Sequence, residues 1–358
     1  MTVRDHDGRG DYGHHPAGLL SRVKRLFRSR KRLLPVFLLG AAVILGGLVW
    51  LFSSYQGLDQ VSVVAGNSRN VGTGYRNITY QGQNYSYNNR ITAIIYAGVD
   101  SDEPLVQSTQ YTVAPRADSI SLIVLDELHK KMTIIALSRD TMTKIRKYTL
   151  FGDQSYLAKD HLCYAYTYGD GGKASCEGLC EAVSLLLFGI PIKDYVVSNR
   201  TSMEIIGNIL GPVELTVPNN DLAEINAQYA EGAKVSIDAQ NLDFFVRYRD
   251  TAIDLSNVGR MQRQQAYITG AMEKVRKILS DRPNDFWDEM QQAESCVQTN
   301  ITRSRYLDLT RIMKNTAFTN RDYYIPEGEN VVGTMHDEFY PDESALLSKV
   351  VELFYIKQ

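Results

Sequence analysis

Short runs of β-branched and aliphatic residues alternate with segments of helical period through the middle of the chain. Residues 91–99 (ITAIIYAGV), 119–125 (SISLIVL) and 132–137 (MTIIAL) have the length and composition of buried strands. From Cys176 to Phe188, the residues Leu179, Val183, Leu186 and Leu187 fall on one helical face, and Gly189-Ile190-Pro191 ends the run. A strand at 195–197, a helix near 203–210, a strand at 213–217 (VELTV) and a helix over 259–279 continue the alternation. This order predicts an α/β sandwich, a central mixed β-sheet flanked by helices.

Upstream the pattern changes twice. Residues 53–88 are rich in Gly, Asn, Ser, Gln and Tyr with little apolar period, which reads as a stalk or lead-in. Residues 33–52 (LLPVFLLGAAVILGGLVWLF) carry no charge. At ~1.5 Å per residue such a run crosses a hydrocarbon core of ~30 Å. Arg22, Lys24, Arg25, Arg28, Arg30, Lys31 and Arg32 precede it without one acid, whereas 53–60 holds only Asp59. The positive-inside rule then places the N-terminus in the cytoplasm and the remainder outside. The expected organisation is a basic cytoplasmic tail (1–32), one transmembrane helix (33–52), a lead-in (53–88) and an extracytoplasmic domain (89–358) of a single-pass cell-membrane protein. A cleaved signal peptide is the alternative to an uncleaved anchor.

Lys and Arg number 39 against 41 Asp and Glu, a formal net charge of −2 that removes any global electrostatic case for nucleic acid. Cys163, Cys176, Cys180 and Cys296 fall in the part expected outside the membrane, where disulfides are permitted. Their pairing, or their survival as free thiols, is left open by the sequence. Cys176 and Cys180 share a helical face but no histidine accompanies them at zinc-ligating spacing, so no metal centre is expected there. The chain has no Gly-rich phosphate loop and no G-x-S-x-G elbow, which sets aside nucleotide-binding and serine-esterase readings.

Three apolar runs carry charge to their ends. Asp100 follows the first, Arg116-Ala117-Asp118-Ser119 opens the second, and Ser138-Arg139-Asp140-Thr141 ends the third. Any one of these is accounted for by a turn-capping Asp at a solvated strand end. Together they mark a crevice at a sheet edge. In residues 244–250 (FFVRYRD), Arg247 and Arg249 share a face if the segment is extended, and two like charges so placed need an anion. The helix after it has a core stripe of Ile268, Ala271, Met272, Val275, Ile278 and Leu279. Stepping back by fours from Ile268 reaches Gln264 and Arg260, which are therefore expected to face inward near a helix N-terminus, a position suited to phosphate. Buried Arg–Asp ion pairs are the alternative account of the same residues.

Taken in order, GVD at 98–100, RADS at 116–119, LSRDT at 137–141, FVRYRD at 245–250 and GRMQRQQ at 259–265 resemble the LytR-CpsA-Psr family. The paired-Arg segment followed by R-x-x-x-Q is the specific part of that resemblance. It implies an outer α/β domain that binds polyprenyl phosphates or pyrophosphates. Such a phosphotransferase moves a teichoic acid, capsule or other secondary wall polymer from a polyprenyl-pyrophosphate carrier to peptidoglycan. Carried over by position, it implies that Asp100 and Asp118 hold magnesium, or manganese, on the pyrophosphate. It assigns Arg116, Arg139, Arg247, Arg249, Arg260 and Gln264 to the pyrophosphate oxygens, with Asp118, Arg116 and Arg139 as the catalytic group. Arg forks and a divalent cation stabilise the charge that develops as such a linkage breaks. Asp118 is also a candidate acceptor for the proton of the incoming sugar hydroxyl. A wall for the prenyl chain is expected from the 176–188 helix with Phe188, and from Met203, Ile205, Ile206 and Ile209, although core packing explains most of these. The 101–117 segment is long for this family, so the rim over the site is expected to differ here. A non-catalytic membrane-anchored binder or regulator of lipid-linked wall intermediates, and a pyrophosphatase, are the alternatives.

Overall fold

The structure, a computed structural model, describes residues 75–358 other than 251, 254 and 292. The expected basic tail, the expected membrane span and residues 53–74 lie outside the described residues. No helix among the described residues is long and apolar enough to cross a membrane.

The described part opens on a hairpin, β1 (Asn77–Tyr80) and β2 (Gln83–Tyr87), followed by the long strands β3 (Ile91–Val99), β4 (Ala117–Asp126) and β5 (Lys131–Leu137). A second hairpin, β6 (Met142–Tyr148) and β7 (Ser155–His161), precedes α1 (Tyr164–Thr167) and α2 (Lys173–Leu186). Next come β8 (Asp194–Ser198), α3 (Ser202–Leu210), β9 (Val213–Thr216), β10 (Lys234–Ile237), α4 (Leu242–Arg247), α5 (Asn257–Asp281) and α6 (Pro283–Gln291). The chain continues through β11 (Val297–Thr299), α7 (Arg303–Lys314), β12 (Tyr323–Tyr324), β13 (Gly328–Val332), β14 (Asp337–Pro341), α8 (Glu343–Phe354) and β15 (Tyr355–Lys357).

Six strands form the central sheet in the order β11-β8-β3-β4-β5-β12. It is mixed, as expected: β3 pairs antiparallel with β4 and β4 with β5, whereas β8 and β12 add in parallel to β3 and β5. The apolar runs read as buried strands because both faces of the sheet are covered. Ile95, Ala97 and Val99 of β3 with Ile120, Leu122 and Val124 of β4 face α2 and α8, where Leu179, Val183, Leu346 and Phe354 complete the main core. Burying each such side chain contributes ~1.5–3 kcal/mol. The alternate residues Ile94, Tyr96, Gly98, Ser119, Ser121 and Ile123 face the other way, towards α3, α4, α5, α6 and α7, and that interface is hollow.

Two expectations are corrected. Part of the presumed lead-in is folded: β1 and β2 form a three-stranded sheet with β15, Tyr87 lying opposite Tyr355. Gln81 and Gly82 have φ of 48° and 72°, the consecutive left-handed residues that a tight two-residue hairpin requires. The 244–250 segment is not extended either. Leu242, Phe245 and Val246, at helical spacing, pack with Tyr229, Tyr267 and Val213 in a second core, which makes 242–247 a helix and leaves Arg249 beyond its end.

Candidate active site

A β-bulge builds the centre of the site. The register passes from Gly98 opposite Ser119 to Val99 opposite Ala117, so Asp118 has no partner on β3. Such an extra residue bends the strand and re-aims its side chain. Asp100 lies on the neighbouring strand end, tied there by its N–H to the Arg116 carbonyl at 3.0 Å.

Asp118 is met by guanidiniums from two other elements. Arg139, just past β5, donates from Nη1 to Asp118 Oδ1 at 2.5 Å, and Arg260, in the first turn of α5, brings Nη1 to 3.5 Å from Oδ2. Arg260 Nη2 also donates to the Asp118 carbonyl at 2.8 Å. Asp140 takes the Nε of Arg139 at 3.2 Å. Asn257, one turn before Arg260, ties these groups together. Its Nδ2 donates to Ser138 Oγ at 3.1 Å and Asp140 Oδ2 at 2.8 Å, and its Oδ1 accepts from Arg260 Nη2 at 2.7 Å.

Arg249 is half-buried beside this group, with Ser256 Oγ at 3.3 Å and no carboxylate in ion-pair contact among the described residues. Arg116 is half-buried and has neither an ion pair nor a side-chain hydrogen bond among the described residues. The electrostatic cost is visible in the guanidiniums. Burial, only partly offset by Asp118, lowers Arg260 to about 10, with Arg139 and Arg249 pushing the same way. Its Nε is buried without a hydrogen-bond partner. Burial, followed by the charge of Arg139, also lowers Arg249. Burial acts against Arg139 too, but Asp118 and Asp140 more than offset it and hold that group above its ordinary range. Arg139 and Arg260 are buried and Arg249 half-buried around the mostly buried carboxylates of Asp118 and Asp140, so three guanidiniums gather where water screens their charge only in part.

The structure thus gathers Asp118, Arg139, Arg249 and Arg260, with Arg116 on the same bulged strand entry. Arg247 stands apart from Arg249: as the last residue of α4 it pairs with Asp100 at 2.6 Å and Asp243 at 3.1 Å. Gln264 and Arg260 do face inward, but the Gln264 amide Nε2 is committed to the Val246 carbonyl at 3.2 Å. Asn257 and Asp140 were missed as site residues. The signal for Asn257 was present, since it continues the Ile268, Gln264, Arg260 stripe by one step of three.

The hollow between the sheet and its helices is a cavity of about 960 Å³. Asp118, Arg247, Arg260 and Gln264 line it at one place, and its other walls are chiefly apolar: Tyr267, Met272 and Val275 of α5, Phe286 and Trp287 of α6, and Leu309 of α7. Of the expected apolar wall, Met203, Ile206 and Ile209 line it, as does Cys176; Phe188 packs against the main core instead. The α6 and α7 contribution was not anticipated. Trp287 and Phe286 rest on Tyr306 at ring-centroid distances of 5.0 and 6.3 Å. The four cysteines are all buried free thiols.

The donor chemistry bears on a metal ion. Asp100 and Asp118 offer the hard oxygens that magnesium takes, but each already meets a guanidinium. Among the described residues no three His, Cys, Asp or Glu gather as a metal-ligating group. A cation held by these two carboxylates would have to take most of its shell from a bound anion and water.

The fold is thus a mixed-sheet α/β domain whose apolar cavity has arginines and an aspartate in its wall. The model of the LytR_cpsA_psr family matches residues 62–341, and the chain belongs to that family. It is 26% identical over 216 residues to the polyisoprenyl-teichoic acid–peptidoglycan teichoic acid transferase TagU of Bacillus cereus, a match covering 59% of this chain and 63% of that protein. TagU of Bacillus mycoides is 23% identical over 231 residues, 63% of this chain and 69% of that protein. Among solved structures, B. subtilis TagV aligns with a TM-score of 0.53 at 21% identity, over 74% of this chain and 97% of that one. TagT bound to LI-WTA aligns with a TM-score of 0.55 at 17% identity, over 80% and 98%. These likenesses establish the fold.

Proposed function

We propose that this protein transfers an anionic wall glycan from a polyprenyl-pyrophosphate carrier to peptidoglycan on the outer side of the cell membrane, anchored by the apolar run at 33–52. One observation carries the reading: a chiefly apolar cavity has Arg260, Arg247 and Asp118 in its wall, with Arg139 held against Asp118. A ligand that satisfies both parts has an extended hydrocarbon tail and a strongly anionic head. The names of the TagU relatives, and the LI-WTA to which TagT is bound in its solved structure, support a polyisoprenyl-linked wall polymer as that ligand.

In the proposed reaction an acceptor hydroxyl attacks the sugar-side phosphorus. The bond from that phosphorus to the bridging oxygen breaks, and polyprenyl phosphate leaves. Arg139, Arg249 and Arg260 face the charge that grows on the non-bridging and leaving oxygens. Asp118, held in place by Arg139 and Arg260, stands ready to take the hydroxyl proton. Asp100 and Asp118 would hold magnesium or manganese, which would supply Lewis-acid stabilisation of the same charge. Both carboxylates already pair with guanidiniums, which would weaken their hold on a cation in the absence of the anion. The cation is therefore expected to bind weakly alone and well with pyrophosphate.

The test is mass spectrometry of lipid copurifying with the detergent-solubilised full chain, followed by transfer to peptidoglycan with magnesium and with excess chelator. A polyprenyl-linked glycan that is transferred only with the cation supports the reading. Bound lipid without transfer under either condition would establish a binding protein instead, and transfer in chelator would remove the metal.

A further inference from the structure

A helix leaves its last carbonyls without internal partners. At the end of the short helix α4 these are met by side chains from α5. Arg263 Nε donates to the Phe245 carbonyl at 2.9 Å, and its Nη2 donates to the Tyr248 carbonyl. Gln264 Nε2 takes the carbonyl between them, that of Val246. Arg263 has 0% exposure, and its Nη1 pairs with Asp221 Oδ2 at 2.6 Å. Burial lowers the Arg263 guanidinium, and Asp221 opposes that effect. Asp221 in turn lies so close to Gly259 that a Cβ there would meet its carboxylate at 1.9 Å, so a residue without a side chain at that point lets the brace pass. Asn219 Nδ2 closes the arrangement by donating to the Gly259 carbonyl and to Gln262 Oε1, both at 2.9 Å.

A fully enclosed arginine is a costly way to satisfy carbonyls at a helix end. What it achieves is geometric. The two carbonyls it holds flank Arg247, and the second belongs to the residue just before Arg249. Those two arginines go to different partners, Arg247 to Asp100 at 2.6 Å and Arg249 to Ser256 Oγ at 3.3 Å, just before α5. A planar fork donating from Nε and Nη2 fixes the spacing of both carbonyls at once, which a lysine ammonium cannot do. Arg263 itself does not line the cavity, whereas Arg247 and Arg260 do.

We propose that Arg263, braced by Asp221, is a positioning residue that sets the separation and direction of Arg247 and Arg249, and so governs affinity for the anionic head of the ligand without touching it. The proposal rests on the pyrophosphate-donor reading above.

The test compares geranylgeranyl diphosphate with geranylgeraniol, its uncharged alcohol, by isothermal titration of the full chain in detergent. Arg263→Lys keeps a positive charge for Asp221 and loses the fork. It is expected to weaken diphosphate binding about tenfold or more while leaving the alcohol unchanged. Asp221→Asn, at a partly exposed position, keeps an acceptor for Arg263 but removes its counter-charge, and is expected to fall between wild type and Arg263→Lys. If Arg263→Lys does not fold, Asp221→Asn carries the same contrast. Equal loss for both ligands would mark a merely structural residue and overturn the proposal, as would unchanged diphosphate binding in the folded variants. A wild-type protein with no preference for the diphosphate over the alcohol would instead overturn the donor reading, and the proposal with it.

Discussion

Replacing Asp118 by asparagine separates an anion cradle from an ordinary ion-pair cluster. The Asp118 carboxylate lies 2.5 Å from Arg139 Nη1 and 3.5 Å from Arg260 Nη1, with side-chain exposures of 14%, 9% and 4% for the three groups. Once its charge is removed, Arg139 keeps Asp140, but Arg260 is left without a carboxylate in ion-pair contact among the described residues, as Arg249 already is. Removing one partner of a buried pair costs roughly 3–5 kcal/mol. Asparagine retains an acceptor oxygen for Arg139, so the expected loss lies at the lower end, about 3 kcal/mol. At ~2–4 °C per kcal/mol for a domain of about this size, the melting temperature should fall by roughly 6–12 °C.

Pyrophosphate then decides what the cluster is for. In excess chelator, inorganic pyrophosphate supplies the missing negative charge, so it should raise the melting temperature of Asp118→Asn by more than that of wild type. Glycan transfer by the same variant should be lost. Differential scanning fluorimetry with and without pyrophosphate, run in parallel with the transfer assay, measures all three. A variant as stable as wild type, or one that gains less from pyrophosphate, would show that the guanidiniums do not converge on an anion site.

His161 has Asp160 Oδ1 at 3.1 Å from Nδ1 and the Asp337 carbonyl at 3.1 Å from Nε2, two acceptors that the imidazolium form satisfies together. The Asp160 hydrogen bond raises it above 6.5 against the effect of burial, so its stabilisation is complete below that unfolded value and is lost as pH rises through the higher folded one. The melting-temperature difference between wild type and His161→Gln should therefore be largest in mild acid and shrink towards alkaline pH; a difference that grows with pH would refute this. Burial pushes Cys163 and Cys180 up to about 12, and Cys176 higher still, so Ellman's reagent should titrate four thiols in guanidinium chloride and none rapidly in the native protein. Fast labelling of any one thiol would contradict the enclosure seen here. Trp287→Ala should weaken geranylgeraniol and geranylgeranyl diphosphate alike, by roughly tenfold for ~1.4 kcal/mol of lost apolar contact. Unchanged affinity for both would place the hydrocarbon outside this cavity.

The elements that were legible in the sequence are those whose burial repeats at their own period. β3, β4 and β5 are rich in β-branched and aliphatic residues, and α5 carries an apolar stripe that runs into Gln264 and Arg260, so strand ends and helix start singled out Asp100, Asp118, Arg139 and Arg260 as candidates. What escaped notice was set by partners far away in the chain. The β1–β2 hairpin is Tyr- and Asn-rich with few aliphatics, and its pairing strand, β15, begins only at Tyr355. The helix α4 reads as extended when taken from Phe244 onward, whereas the turn that starts it lies upstream: Asp238 accepts the Asn241 N–H through Oδ1 and the Leu242 N–H through its carbonyl. That difference changes the chemistry. An extended segment would present Arg247 and Arg249 side by side, but a helix ending at Arg247 sends one to Asp100 and the other to Ser256. Asn257 shows the same limit from the other direction. Spacing alone puts it on the inward stripe, but its meaning depends on Ser138, 119 positions earlier, and on Asp140. Only the docking of α5 against the end of β5 turns a neutral amide into the link that orients Arg139, Arg260 and the carboxylate between them.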